Sequence, residues 1–118
     1  MFTGSWTSVD WYDGSSQIVT FSGTGLTLNV RFLDRYASGC ETDHVPGTGG
    51  PALGVGTAYV VGDTVSGSLD FVCIQGSVVP DWGTLPFEFT FDSAMGTLTD
   101  SPGDPTYPLT TWYRPGKG

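Results

Sequence analysis

Apolar and polar positions alternate with a period of two along most of this chain, and helical spacing is nowhere sustained. Leu26, Leu28, Val30 and Phe32 alternate with Thr27, Asn29 and Arg31. Val65, Leu69, Phe71 and Cys73 share one phase, with Ser66, Ser68 and Asp70 in the other. Phe87, Phe89 and Phe91 are interleaved with Glu88, Thr90 and Asp92. Each run reads as a half-buried strand with one apolar and one polar face. Asp13-Gly14 and Gly62-Asp63 are hairpin dipeptides, and Gly23-Thr24-Gly25 and Ser93-Ala94-Met95-Gly96 are short loops of the same kind. The spacing predicts eight strands, near 5–11, 17–22, 26–35, 52–61, 64–74, 86–92, 97–100 and 109–114. Beyond a single turn near Ser93 to Met95, Gly, Pro or β-branched residues interrupt every window long enough for a helix.

Short connections between successive strands imply antiparallel neighbours, hence a meander. Three connections are long: 36–51, 75–85 and 101–108. They follow the third, fifth and seventh strands, so an up-and-down meander brings all three to one end. Ligand sites of barrels lie at the mouth or in the lumen. Tyr36, Trp82 and Tyr107 sit one in each long connection. Aromatic side chains stack on sugars or apolar ligands and carry much of the energy at recognition sites, which makes these three the candidate ligand-binding residues. The simpler alternative is that each caps the core and that the loops are neutral insertions.

The two ends of the chain bear on architecture. Gly4-Ser5-Trp6 opens the first strand and Trp112-Tyr113-Arg114 closes the last. A Trp at the start and an Arg at the end suggest that first and last strands meet. The expected fold is therefore all-β: an eight-stranded antiparallel up-and-down barrel forming a single domain over residues 1–118. A two-sheet β-sandwich has the same local pattern and is the alternative. In the barrel, Trp6 plugs the floor against Arg114, a stacking worth about 0.5–2 kcal/mol. Ser8 and Asp10 share the phase of Trp6 and are expected to point up the lumen as further ligand-binding residues.

Gly4, Trp6 and Arg114 resemble the calycin group: lipocalins, avidins and small bacterial protease inhibitors built on one barrel. In lipocalins the Trp of Gly-x-Trp and a late Arg pack together at the closed end, so the resemblance implies the same pairing here. The stretch from Gly14 to Thr20 looks slightly avidin-like, without a full set of biotin ligands. More broadly, the Gly-x-Trp start, the Asp-Gly-Ser turn, the Cys pair and the Trp-x-Arg end are similar to small exported bacterial domains. That resemblance spans the chain and implies no activity.

Composition narrows the partners. A chain of 118 residues suits one domain and buries roughly two-thirds of its unfolded surface, enough for a core without metal. The formal net charge is -8, and Arg31, Arg35, Arg114 and Lys117 are too scattered to form a phosphate-binding stripe. Nucleic acid and anionic membrane surfaces are therefore poor partners. No apolar run approaches the roughly 20 residues of a membrane span. The near absence of Lys, with Gly, Ser, Thr, Val and Asp abundant, suits a secreted or cell-surface protein. No signal peptide precedes Phe2-Thr3-Gly4-Ser5, so any export signal is expected to have been removed. Two cysteines, Cys40 and Cys73, suggest one disulfide that anchors the longest loop to the fifth strand, worth roughly 3–4 kcal/mol in the chain-entropy model. Two buried thiols are the alternative.

Chemistry beyond binding finds little support. Cys40-Glu41-Thr42-Asp43-His44 is the densest polar cluster, but its spacing matches no recognised metal site, and a solvated loop explains it more simply. Asp10 and Asp13 resemble a calcium pair less than a turn cap. One His and no Gly-x-Ser-x-Gly elbow leave no catalytic residue to assign. Glu88 and Asp70 lie opposite the apolar phase, hence in solvent. No cofactor or metal is expected, and the pattern leans away from an enzyme. The leading function is a secreted, non-enzymatic binding module for a small, partly apolar molecule at the barrel mouth. The alternatives are a protein- or glycan-binding or inhibitor module using the long loops, and a small barrel cyclase or isomerase. Oligomeric state is not set by any of these features.

Overall fold

Every strand of this chain hydrogen-bonds to the next one in sequence. The computed structural model describes residues 2–9, 16–37, 50–74, 83–100 and 110–115. Its strands are β1 (Gly4–Val9), β2 (Ser16–Ser22), β3 (Thr27–Ala37), β4 (Gly50–Val61), β5 (Thr64–Cys73), β6 (Thr84–Asp92), β7 (Thr97–Asp100) and β8 (Thr110–Trp112). They form one antiparallel sheet in the order β1 to β8. Closure runs through Thr7 and Tyr113: the Thr7 N–H donates to the Tyr113 carbonyl at 2.7 Å, and the Tyr113 N–H to the Thr7 carbonyl at 2.8 Å. Ser8 Oγ extends the seam by donating to the Thr111 carbonyl at 3.0 Å. The result is a nearly closed up-and-down barrel, not a two-sheet sandwich.

The alternation fixed which face turns inward, and the strand ends needed small corrections. Among the described residues β1 runs from Gly4 to Val9 and β8 from Thr110 to Trp112, with Tyr113 in an isolated bridge; the expected strand positions 10, 11 and 109 lie outside the described residues. Leu26 is a correction of phase. The alternation groups it with Leu28 and Val30, yet it is 70% exposed, because the strand begins at Thr27 and Leu26 belongs to the preceding turn. Phe2 is the converse: it precedes β1 and is buried in the core.

The interior is filled with rings. Cross-strand register puts Trp6, Val19, Phe32, Gly54 and Phe71 in one inward row over β1 to β5. Phe21 on β2 meets Phe89 on β6 with centroids 6.1 Å apart, across the barrel. Phe32 on β3 likewise reaches Trp112 on β8 at 5.6 Å. Most of these contacts are edge-to-face, the arrangement that the ring quadrupole favours, each adding about 0.5–1.5 kcal/mol beyond the area buried. Room for them comes from β4, whose inward residues Ala52, Gly54, Gly56 and Ala58 are all small. A Cβ on Gly54 would lie 2.8 Å from the Phe71 ring, and one on Gly56 would run into the Ser68 carbonyl.

Candidate functional site

In an up-and-down barrel, the connections after odd-numbered strands share one end. Here these are the connections between Val9 and Ser16, Ala37 and Gly50, Cys73 and Thr84, and Asp100 and Thr110. The other end is closed by the short turns at Gly23–Leu26, Gly62–Asp63 and Ser93–Gly96. The two ends differ in chemistry as well as in length.

At the closed end the Arg114 guanidinium carbon lies 3.8 Å from the centroid of the Trp6 ring. Arg114 Nη1 also donates to the Thr3 carbonyl at 3.0 Å and to the Ser5 carbonyl at 3.4 Å. Trp6 Nε1 donates to the Phe2 carbonyl at 2.9 Å, so the buried indole is satisfied. Gly4 is required at this point for two reasons. Its φ is +109°, and a Cβ there would stand 2.7 Å from Arg114 Nη1. Burial lowers the Arg114 pKa from its ordinary value, yet a guanidinium remains charged at any physiological pH. The stacked pair and its hydrogen bonds make this end the floor of the barrel.

At the open end the inward phase becomes polar. Ser8, Gln17, Asp34, Ala52 and Cys73 form one cross-strand row over β1 to β5. Asp100, the last residue of β7, faces Thr110, the first of β8. Asp34 and Asp100 stand on β3 and β7, four strands apart in the sheet order, hence on opposite walls. Burial raises the Asp100 carboxyl to about 6. Beneath this polar lip lie Phe32, Phe71 and Trp112, with Phe32 centred 5.7 Å from Phe71 and 5.6 Å from Trp112. Phe32 points inward and is still only half-buried, so solvent reaches this layer. Among the described residues, the buried indole Nε1 of Trp112 has no hydrogen-bond partner.

Of the residues singled out from sequence, the structure brings Trp6 to Arg114 at the floor and puts Ser8 at the lip, buried and bonded across the seam. Tyr36 lies in β3, one residue from its open end. Cys73 ends β5 and is buried, and no described cysteine is free. Asp10, Cys40, Trp82 and Tyr107 lie outside the described residues, as do Glu41, Asp43 and His44. Asp70 and Glu88 are exposed on the outer face, and Thr84 Oγ1 donates to the Asp70 carboxylate at 2.8 Å. Sequence reasoning missed Asp34 and Asp100. Both occupy the inward phase of their strands; for Asp34 the alternation of Leu28, Val30 and Phe32 was the signal that would have found it, and β7 is too short to offer one for Asp100. Among the described residues no group of His, Cys, Asp and Glu has the geometry to hold a metal ion, and no helix is long and apolar enough to cross a membrane. No family model, curated protein or solved structure matches the chain.

Proposed function

We propose that the protein is a non-enzymatic binding module whose ligand, a small and partly apolar molecule, sits at the open end of the barrel. One observation carries the reading: the inward-facing ring of Phe32 is only half-buried beneath a polar lip that includes Ser8, Asp34, Asp100 and Thr110. Ligand pockets characteristically combine an apolar lining with a few placed polar groups, and the open end has both. The interior below Phe32 is crossed by aromatic contacts, so the ligand rests in the mouth and not in a deep lumen. Tyr36, Trp82 and Tyr107 belong to strands and connections that converge on this end, and are the proposed rim. A calycin-type identity accords with the Trp6–Arg114 floor, and the reading includes an exported location and a Cys40–Cys73 disulfide that would hold the longest connection to β5.

A fragment screen by amide chemical shifts, with a library mixing neutral, cationic and anionic compounds, tests the reading. Shifts clustered at Ser8, Phe32, Asp100 and Thr110 are expected, and Tyr36→Ala, Trp82→Ala and Tyr107→Ala should weaken binding with the melting midpoint nearly unchanged. A library that leaves these amides unmoved, or moves only those of Gly23 and Gly62, overturns it.

The packed interior favours a second reading, a protein- or glycan-binding module that uses the long connections and needs no cavity. It predicts that a bound protein or oligosaccharide protects the loops while small fragments leave the lip untouched. A cyclase or isomerase would need an acid near neutrality, and Asp100 is the residue such a reading would use. Asp100→Asn, assayed against a bound fragment, separates catalysis from binding.

A further inference from the structure

The outer wall of the barrel carries an apolar surface that the core does not use. An antiparallel sheet with one face in water normally turns a polar phase outward. Here Ile18, Leu33, Leu53 and Val72, all half-buried, are cross-strand neighbours in one outward row over β2 to β5. Ile74 extends the surface past the end of β5, where its N–H donates to the Pro51 carbonyl at 2.9 Å, and it is 50% exposed. β4 continues the surface down its length. Of its outward residues, Val55, Tyr59 and Val61 are 46%, 55% and 77% exposed, and Thr57 is the one polar member. On both sides of β4 the outward phase turns polar toward the closed end, with Asn29 and Thr27 on β3 and Ser68 and Ser66 on β5. The apolar surface is thus a stripe along β4, widened at the open end.

A pair of opposite charges brackets the stripe. Arg31 on β3 and Asp70 on β5 are the two cross-strand neighbours of Val55, and both are exposed. Adjacent strands are about 4.8 Å apart, so within one chain the two positions stand roughly 10 Å apart with Val55 between them. Thr84, on the side of Asp70 away from Val55, donates its hydroxyl to that carboxylate at 2.8 Å.

We infer that this wall binds a second copy of the chain, in a two-fold dimer whose axis runs along β4 through Val55, between the two outer faces. Such an axis exchanges the flanks of β4. Arg31 then meets the partner's Asp70, Leu33 meets the partner's Val72, and the outward residues of β4 meet their own copies. An axis across the strands at the same point would set each charge against its own copy, so the charges select the first arrangement. The inference is independent of what the mouth holds, because the surface lies on the other face of the sheet. The contact is narrow: β3 to β5 offer a band roughly 10–15 Å wide before the barrel curves away. That is at the low end for a specific interface, and monomer and dimer are expected to exchange with a dissociation constant of roughly 10–100 µM.

The test is sedimentation of the whole chain over a concentration series from about 1 µM to about 1 mM, with amide shifts recorded on dilution. Salt is held at about 0.15 M, which screens the long-range repulsion between two chains of net charge -8 more than the pairs in contact. A dimer is expected to form as concentration rises, and dilution should move the amides of Leu53, Val55 and Val72. Arg31→Asp and Asp70→Arg should each weaken self-association about tenfold or more. Mixed together, the two variants should form a dimer again, since every facing pair is then of opposite sign. Thermal midpoints report that both variants fold. A chain that stays monomeric throughout overturns the inference. So does a dimer that the single reversals leave unchanged or that mixing does not restore, and so do dilution shifts confined to turn tips such as Leu26 and Met95. If a charge variant fails to fold, the dilution shifts of the unmodified chain decide, together with Val55→Ser, which alters no charge and should weaken the dimer.

Discussion

Arg114 sits over Trp6, its guanidinium carbon 3.8 Å from the ring centroid, so the segment after β8 caps the start of β1. The pair has more than stacking to hold it, because the same guanidinium satisfies the Thr3 and Ser5 carbonyls. Removing either partner should therefore be felt differently. Trp6→Ala deletes a fully buried indole and should cost about 3–5 kcal/mol. Arg114→Ala should cost about 1–2 kcal/mol, and Arg114→Lys should recover little of it, since an ammonium lacks the planar fork that spans ring and carbonyls. Denaturant melts of the two single variants and the double variant check this. A Trp6→Ala cost below about 1 kcal/mol would show that the ring is not a floor residue.

Cys40 and Cys73 are expected to be joined. Intact mass under denaturing conditions, with and without reductant, should differ by two hydrogen atoms. Equal masses would refute the bond.

Asp100 should make stability depend on pH in an unusual direction for a carboxylate. Its folded pKa, about 6, lies above the ordinary 3.8, so the native state binds the extra proton in that window. Stability from this group is greatest at the acid end and falls as pH rises from about 4 to about 6, staying lower above that. Asp100→Asn should remove this slope and stabilise the protein near pH 7.5 by about 1 kcal/mol, the shift being discounted for the solvent that Asp100 still meets. Subtracting the variant's pH profile from the wild type isolates the effect from the other acids. A flat difference between those pH values would contradict it.

The small residues of β4 should resist enlargement unequally. Gly54→Ala meets a side chain, the Phe71 ring, which can tilt, so a loss of about 1–2 kcal/mol is expected. Gly56→Ala meets the Ser68 backbone and should cost about 3 kcal/mol or prevent folding. Phe71→Leu should rescue Gly54→Ala and not Gly56→Ala, as read in thermal melts.

Period-two alternation was enough to place eight strands and their order, because each half-buried strand must turn one phase inward and a short turn leaves only the adjacent strand to pair with. It was weaker where the strand is brief. With four residues in β7, Thr97 and Leu98 are both buried, and neither phase announces that Asp100 faces inward. Asp34 was hidden for a related reason. It stands in the apolar phase of β3 after Leu28, Val30 and Phe32, and a polar residue there reads as the strand's end when it is in fact the lip. Phe2 had no pattern to belong to, since it enters the core ahead of the left-handed turn at Gly4. The orphaned donor of Trp112 depends on what surrounds one nitrogen, which no spacing encodes.

The seam between β1 and β8 has a consequence for how the barrel assembles. Every other pairing joins strands that are consecutive in the chain, so the sheet can grow by local zippering with little loop-closure entropy at each step. The Thr7–Tyr113 bridge, the Ser8–Thr111 hydrogen bond and the Arg114 contacts with Trp6, Thr3 and Ser5 require the two extremities to find each other. Contacts of that separation form late in folding, after the curvature of the sheet has brought the edges near. The curled, unsealed sheet is then the last species before the native state, and the first one reached when the native state opens.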